Sequence, residues 1–519
     1  MRMTDCTTWS KLQAHYQILR DIPIKQLFSE FPDRFDHFSA DVAGLFIDYS
    51  KNWISQETVD LLCALAHERK LSAAIHALFS GEKINYSEQR SALHTVFRLP
   101  AHEKFIFEGV DLVREVQSEF QKMTQIAEQL EKKELKGFSG KPIDTILHVG
   151  MGGSGLGPAL YYQALDTSTR NATCHFLSEF DYASVQAKLA LCNPETTIVI
   201  IVSKSLTTQE TLTIFESIKS WLGDAPSQFY AVTAKEERAK SLGFLRENIL
   251  KIWDWVGGRF SIWSAVSFSV ILSLGAEKFK RFLAGAYQMD QHFQQTAFDK
   301  NIPVIMALLA VWYNNFFHAH SKAIVPYSAK LSTIPAYFQQ LHMESLGKNV
   351  TSQGEKIHYA TGRVIWGDVG PNSQHSFHQL LMQGSQMIPV DFILPLCDEK
   401  LNEYDIKRAA NCLSQSQTLM QGFEASNAMQ TITGNRPSTT IMMNHLTPET
   451  LGALLALYEH KVFVKSIIWD INAFDQWGVE RGKHVAETLI ACIADNKKMD
   501  LTDSSTAGLL ERISRSFNQ

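Results

Sequence analysis

Apolar residues along the chain fall into two textures. Short runs rich in β-branched residues stand at 145–149 (Thr-Ile-Leu-His-Val), 174–177, 196–202 (Thr-Thr-Ile-Val-Ile-Ile-Val), 229–232 and 251–253. Runs of this length without polar alternation are strands buried on both faces of a parallel sheet. After helical spacing from about 261 to 318, a second set follows at 323–325, 364–366, 391–394 and 439–442. Strands alternating with helices are the rhythm of right-handed βαβ units, so two doubly wound α/β domains with mainly parallel sheets are expected. Residues from about 8 to 140 are helical in texture, with helix-period spacing at 11–28 and 58–79. The stretch 113–135 reads as one amphipathic helix ended by Gly137 and Gly140. The apolar run 302–313 is too short to cross a bilayer and predicts a buried helix. This divides the chain into an N-terminal helical segment (1–110), a first α/β domain (111–280), a second (281–495) and a polar, loosely packed tail (496–519).

Two of the strand ends carry candidate chemistry. The run 196–202 is followed by Ser203-Lys204-Ser205-Leu206-Thr207-Thr208, four hydroxyls beside one of the chain's ammonium groups where a strand gives way to a helix. Backbone N–H groups and the positive end of a helix dipole attract an anion there, and the hydroxyls suit a small phosphate. A self-capping helix start would look the same at a single such turn. The run 145–149 is followed by Gly150-Met151-Gly152-Gly153-Ser154-Gly155-Leu156-Gly157, which lets the backbone approach a ligand closely. Its Gly150-x-Gly152-x-x-Gly155 spelling, with Glu179 after the next strand, also matches a dinucleotide fingerprint, so a nicotinamide-dependent dehydrogenase is a rival reading. The fingerprint leaves the second anion turn unexplained, whereas two such turns fit a sugar phosphate at a sheet's carboxyl edge.

Three further segments could complete a site. Gly257-Gly258-Arg259 forms a tight turn that aims a guanidinium, able to stabilise an oxyanion without giving up a proton; a solvated surface arginine is the plain alternative. On a helix Gln340 and Glu344 share a face, and among apolar neighbours the carboxylate could turn inward as a general base, although a lone helical glutamate usually faces solvent. His375, and the run Gln476-Trp477-Gly478-Val479-Glu480-Arg481-Gly482-Lys483, add a histidine and an ammonium crowded by aromatic and glycine residues. A lone histidine is more often structural. His318 and His320 lack any zinc-ligand spacing, so no metal is expected.

Bulk properties exclude other classes. A chain of 519 residues with a formal charge of −5 and no basic tract is no polyanion binder, so nucleic acid is not expected as a partner. Seven scattered cysteines (6, 63, 174, 192, 397, 412 and 492) without a C-x-x-C predict reduced thiols. The first ten residues are polar and lack an apolar signal core, which points to a cytoplasmic protein with no membrane partner.

Together these motifs resemble the glucose-6-phosphate isomerase (phosphoglucose isomerase) family. The most specific matches are Val256-Gly257-Gly258-Arg259-Phe260-Ser261, Met343-Glu344-Ser345 and Phe474-Asp475-Gln476-Trp477-Gly478-Val479-Glu480-x-Gly482-Lys483, supported by the segment from Asn301 to Phe317. The resemblance implies two sugar-isomerase (SIS-type) domains, a homodimer, and reversible conversion of glucose 6-phosphate to fructose 6-phosphate in glycolysis and gluconeogenesis, with no metal or nucleotide cofactor. It implies that Ser203, Lys204, Ser205 and Thr208 hold the phosphate, with Gly153 and Ser154 near the sugar. Glu344 would move the proton between C1 and C2, Arg259 would face the enediolate, and Gln340 would position the ligand. His375, reaching in from the partner subunit, and Lys483 would assist ring opening, with Gln476 close by. Departures from the family pattern are Ser205 for a usual threonine, Gly155 for a common aspartate, Leu341-His342 and Leu346 around the base, and Arg481 for a frequent leucine. None removes a reacting group. A non-catalytic sugar-phosphate sensor, the other rival, would lack Glu344 and Arg259.

Overall fold

A computed structural model describes residues 2–165, 169–396, 402–495 and 503–517. Cys397 and, of the predicted tail, residues 496–502 and 518–519 lie outside the described residues. The chain forms two compact units, 1–473 and 474–519.

In chain order the first unit carries β1 (Ser39–Val42), β2 (Leu45–Asp48), β3 (Ile106–Phe107), β4 (Val110–Asp111), β5 (Thr145–Val149), β6 (Thr173–Leu177) and β7 (Thr197–Val202). It continues with β8 (Phe229–Thr233), β9 (Ile249–Lys251), β10 (Ser321–Pro326), β11 (Val364–Trp366), β12 (Val390–Pro395) and β13 (Ser438–Met443). One sheet has the order β6-β5-β7-β8-β9 and is parallel throughout. Every residue of β7 is buried, as its unbroken apolar run demands, and Val199 and Ile201 pack under Ile214, Phe215 and Ile218 of helix Gln209–Leu222. Burial of side chains this size stabilises the fold by about 1.5–3 kcal/mol each. The connection from β6 crosses β5 to reach β7, so chain progression reverses between β5 and β7. Val149 and Ile201 stand in register there, and the turns that follow the two strands leave the sheet side by side.

The second sheet has the order β1-β2-β13-β12-β10-β11. Strands β10 to β13 are parallel to one another, while β1 and β2 are an antiparallel hairpin added along β13. The doubly wound α/β class holds. The N-terminal helical texture needs correction, because this hairpin comes from inside it. Its two-residue loop, Ala43-Gly44, has φ 49° and 78°, the left-handed pair that matches strand twist. Two predicted helices are also split. The stretch 11–28 forms Thr7–Leu19 and Ile24–Glu30, separated at Pro23, which has no N–H to continue a helix. The stretch 58–79 forms Gln56–Glu68 and Leu71–Ser80, broken at Lys70 with φ 54°. The strand predicted at 251–253 lies two residues earlier. The helices expected at 113–135 and 302–313 are present as Leu112–Glu131 and the almost wholly buried Ile302–Asn315.

The second unit contains helices Trp477–Asp495 and Ser504–Phe517. The latter replaces the loose tail expected there: Leu509, Leu510 and Ile513 recur at helical spacing. Cys6, Cys63, Cys174, Cys192, Cys412 and Cys492 are not in disulfides. Among the described residues no helix is long and apolar enough to cross a membrane.

Candidate active site

The turn after β7 is held in an unusual backbone shape. Leu206 adopts φ 50°, a region a bulky side chain rarely occupies, while its side chain is fully buried in the core beneath the sheet. Ser203 Oγ accepts the Leu206 N–H at 3.1 Å, and Arg238 Nε donates to the Leu206 carbonyl at 2.6 Å. Strain fixed this firmly is a mark of functional turns. It leaves Ser205 and Thr208 partly exposed at the start of helix Gln209–Leu222. Lys204 bridges outward: its ammonium donates to the carbonyls of Asp254 at 2.7 Å and Val256 at 3.0 Å. Burial pushes Lys204 below the ordinary lysine range.

Those carbonyls belong to the loop that ends in Arg259, a residue only 3% exposed. Its Nε donates to Ser345 Oγ at 2.6 Å, its Nη2 donates to the Ala473 carbonyl, and its Nη1 stands 3.6 Å from Glu344 Oε2. Gln340 Nε2 donates to the same Glu344 oxygen at 3.0 Å. The four-residue spacing therefore brings the amide and the carboxylate together, but on a π-helical turn, Gln340–Glu344, rather than the α-helix expected. Such wide turns recur at functional sites because they re-aim one side chain. Lys348 secures this one, donating to the carbonyls of Glu344 at 3.0 Å, Ser345 at 3.1 Å and Asn472 at 3.1 Å. Glu344 keeps about a quarter of its side-chain surface exposed, so it is reachable.

The glycine turn after β5 closes the cluster. A Cβ on Gly153 would lie 2.2 Å from the Gly258 carbonyl oxygen, and one on Gly152 would lie 3.1 Å from Gln340 Nε2. Gly153→Ala must therefore displace the Arg259 loop, and we expect it to destabilise the protein by about 1–3 kcal/mol and to lower turnover. Gly258→Ala is the control, since nothing lies within 4 Å of its Cβ. Thermal melts and steady-state rates on the pair check this.

Beneath the turn, fully buried His148 donates from Nε2 to the Ser154 carbonyl at 2.7 Å, and its Nδ1 pairs with Ser269 Oγ at 2.8 Å. Burial lowers its pKa from 6.5 to about 4. The unfolded chain thus takes up this proton first as pH falls. The contribution to stability is complete above about pH 6.5 and is lost as pH drops toward 4, by about 3 kcal/mol in all. Urea unfolding at neutral and mildly acidic pH should show a shallower loss in His148→Gln than in the wild type.

Of the residues singled out from sequence, Gly153, Ser154, Ser203, Lys204, Ser205, Thr208, Arg259, Gln340 and Glu344 lie on these neighbouring turns. His375 is exposed at the end of the short helix Gly370–Gln374 and has no hydrogen bond or ion pair to them among the described residues. Gln476 and Lys483 belong to the second unit. The Lys483 ammonium is exposed and pairs with Glu480 Oε1 at 2.8 Å rather than being crowded by aromatic groups, because three residues on a helix bring the two side chains together. Ser345, Lys348 and His148 escaped the sequence reading. Ser345 adjoins Glu344 in the Met-Glu-Ser motif and could have been suspected; the other two each also bond a residue distant in the chain, Asn472 for Lys348 and Ser269 for His148. Among the described residues no group of three or more His, Cys, Asp or Glu side chains could hold a metal.

The phosphoglucose isomerase family model matches residues 48–510. The glucose-6-phosphate isomerase of Shewanella oneidensis is 44% identical over 98% of both chains, and that of Coxiella burnetii is 41% identical over 99% of this chain and 98% of its own. The crystal structure of a glucose-6-phosphate isomerase from Chlamydia trachomatis superposes with a TM-score of 0.88 at 30% identity, covering 100% of this chain and 99% of that one. A match this long, with the glycine turn, the Arg259 loop and the Glu344 turn inside it, means that the chain belongs to the phosphoglucose isomerase family.

Proposed function

We propose that this protein interconverts D-glucose 6-phosphate and D-fructose 6-phosphate. The observation that carries the reading is the carboxylate of Glu344 lying 3.6 Å from a buried guanidinium, Arg259, with Gln340 on the same oxygen. A proton α to an aldehyde is weakly acidic, and its removal needs a base beside a fixed positive charge. Ser203, Lys204, Ser205 and Thr208 bind the phosphate, while Gly153 and Ser154 face the sugar. His375 from a second copy of the chain and Lys483, with Gln476 alongside, exchange protons with the ring oxygen and the C1 hydroxyl to open the pyranose. Glu344 takes the C2 proton; the C–H electron pair forms the C1–C2 double bond and the carbonyl pair moves to oxygen, giving a cis-enediolate opposite Arg259. Glu344 then returns the proton to C1 as the proton of the C2 hydroxyl passes to O1, so that C2 becomes the carbonyl carbon and C1 carries the hydroxyl. Holding the phosphate, far from the reacting carbons, uses non-reacting binding energy to align them. The homodimer is part of this proposal, since it supplies the histidine.

A coupled assay on fructose 6-phosphate with added chelator tests it. Turnover should be unchanged by the chelator, and absence of turnover with the purified full chain would refute the assignment.

A further inference from the structure

Behind the Glu344 turn lies a second polar centre that is buried and over-supplied with positive charge. Lys322 on β10, Arg363 just before β11, and Lys461 and Lys465 on helix Pro448–Trp469 are each more than nine-tenths buried. They share one carboxylate, Asp391 on β12. Lys322 Nζ is 2.6 Å from its Oδ1, and Lys461 Nζ is 3.1 Å from its Oδ2, which also accepts the Tyr458 hydroxyl at 2.7 Å. Uncompensated charge held away from water is strongly unfavourable, so the centre must shed protons or acquire a counter-ion.

The lysines can shed protons: burial, reinforced by the neighbouring cations, pushes Lys322 and Lys465 well below the ordinary lysine range and Lys461 below it. Arg363 does not. Burial lowers it only to about 10, so it stays charged at neutral pH, and its enclosed Nη1 has no hydrogen-bond partner among the described residues. Arg363 and Lys322 line a cavity of about 10 Å³, together with Asn52, Tyr313 and Thr439. That is room for one species the size of a water molecule. The Tyr313 hydroxyl accepts the Trp53 N–H at 2.7 Å, which leaves its own proton to give.

We propose that this cavity is a binding site for a halide-sized monoanion, chloride in ordinary buffers, held between the Arg363 guanidinium and the Lys322 ammonium. Tetrahedral oxyanions are too large for it. The bound anion supplies charge that Asp391 alone does not. The site has a route to the active site, since the Tyr458 ring that shares Asp391 stacks on Phe338 at 3.8 Å and meets the His342 edge at 5.7 Å. Both rings belong to the segment that carries Gln340 and Glu344.

The deciding experiment is a crystal structure of the full chain grown in sodium bromide, with data collected at the bromine absorption edge. An anomalous peak in the cavity, touching both Arg363 and Lys322, is expected. Melting temperature should also be several degrees higher in bromide or chloride than in methanesulfonate at matched ionic strength, and Lys322→Met should lose that difference. A cavity without anomalous signal, whether empty or filled by water, would overturn the proposal and mean that the lysines are neutral instead. Because the map is read on the unmodified protein, a variant that fails to fold leaves the test intact.

Discussion

Glu344→Gln is expected to lower kcat by about 10²–10⁴-fold, the contribution of a positioned general base, while sugar-phosphate binding is largely kept. The substitution preserves length and planarity, so Gln340 can still donate to the remaining side-chain oxygen at the position where it now bonds Oε2. Arg259 keeps its bonds to Ser345 and Ala473. What disappears is the ability to accept a proton from carbon. The turn at 203–208, proposed to hold the phosphate, is a separate loop, so ligand affinity measured by calorimetry should move far less than kcat. Glu344→Asp should fall between the two, because a carboxylate withdrawn by one methylene stays basic but loses alignment. Near-normal turnover in Glu344→Gln would remove this residue from the mechanism.

Replacing Arg259 by lysine should cost about 10²–10³ in kcat, or roughly 3–4 kcal/mol of transition-state stabilisation. The charge is conserved, but the guanidinium is held in three directions, by Ser345 Oγ at 2.6 Å, by the Ala473 carbonyl and beside Glu344 at 3.6 Å. An ammonium cannot satisfy all three at once. In the proposed mechanism the enediolate charge is absent from the bound substrate, so the loss should fall on kcat with KM little changed. A rise in KM alone would make Arg259 a ground-state positioning group.

Much of this arrangement was legible in the sequence where one segment carries the whole signal. Strand β7 announces itself because six consecutive residues are buried on both faces, and the turns at both strand ends follow directly in the chain. The pairing of Gln340 with Glu344 follows from their spacing, although the π-helical turn does not, since one extra residue per turn leaves no mark in apolar periodicity. The β1–β2 hairpin was hidden because Ala43 takes a left-handed conformation that Asn or Gly would have advertised. The split at Lys70 is concealed in the same way. The cationic centre around Asp391 joins residues 322, 363, 391, 461 and 465, so only the fold reveals it. Lys348 looks like an ordinary charged residue until its carbonyl partners are known.

The proton transfer proposed for Glu344 can be followed directly by nuclear magnetic resonance, with the protein turning over fructose 6-phosphate in deuterium oxide. Deuterium should accumulate at C2 of the glucose 6-phosphate formed and at C1 of recovered fructose 6-phosphate, and Glu344→Gln should slow both by the factor it takes from kcat. Isomerisation by the wild type with no deuterium incorporated at either carbon, or undiminished exchange in the variant, would contradict the account.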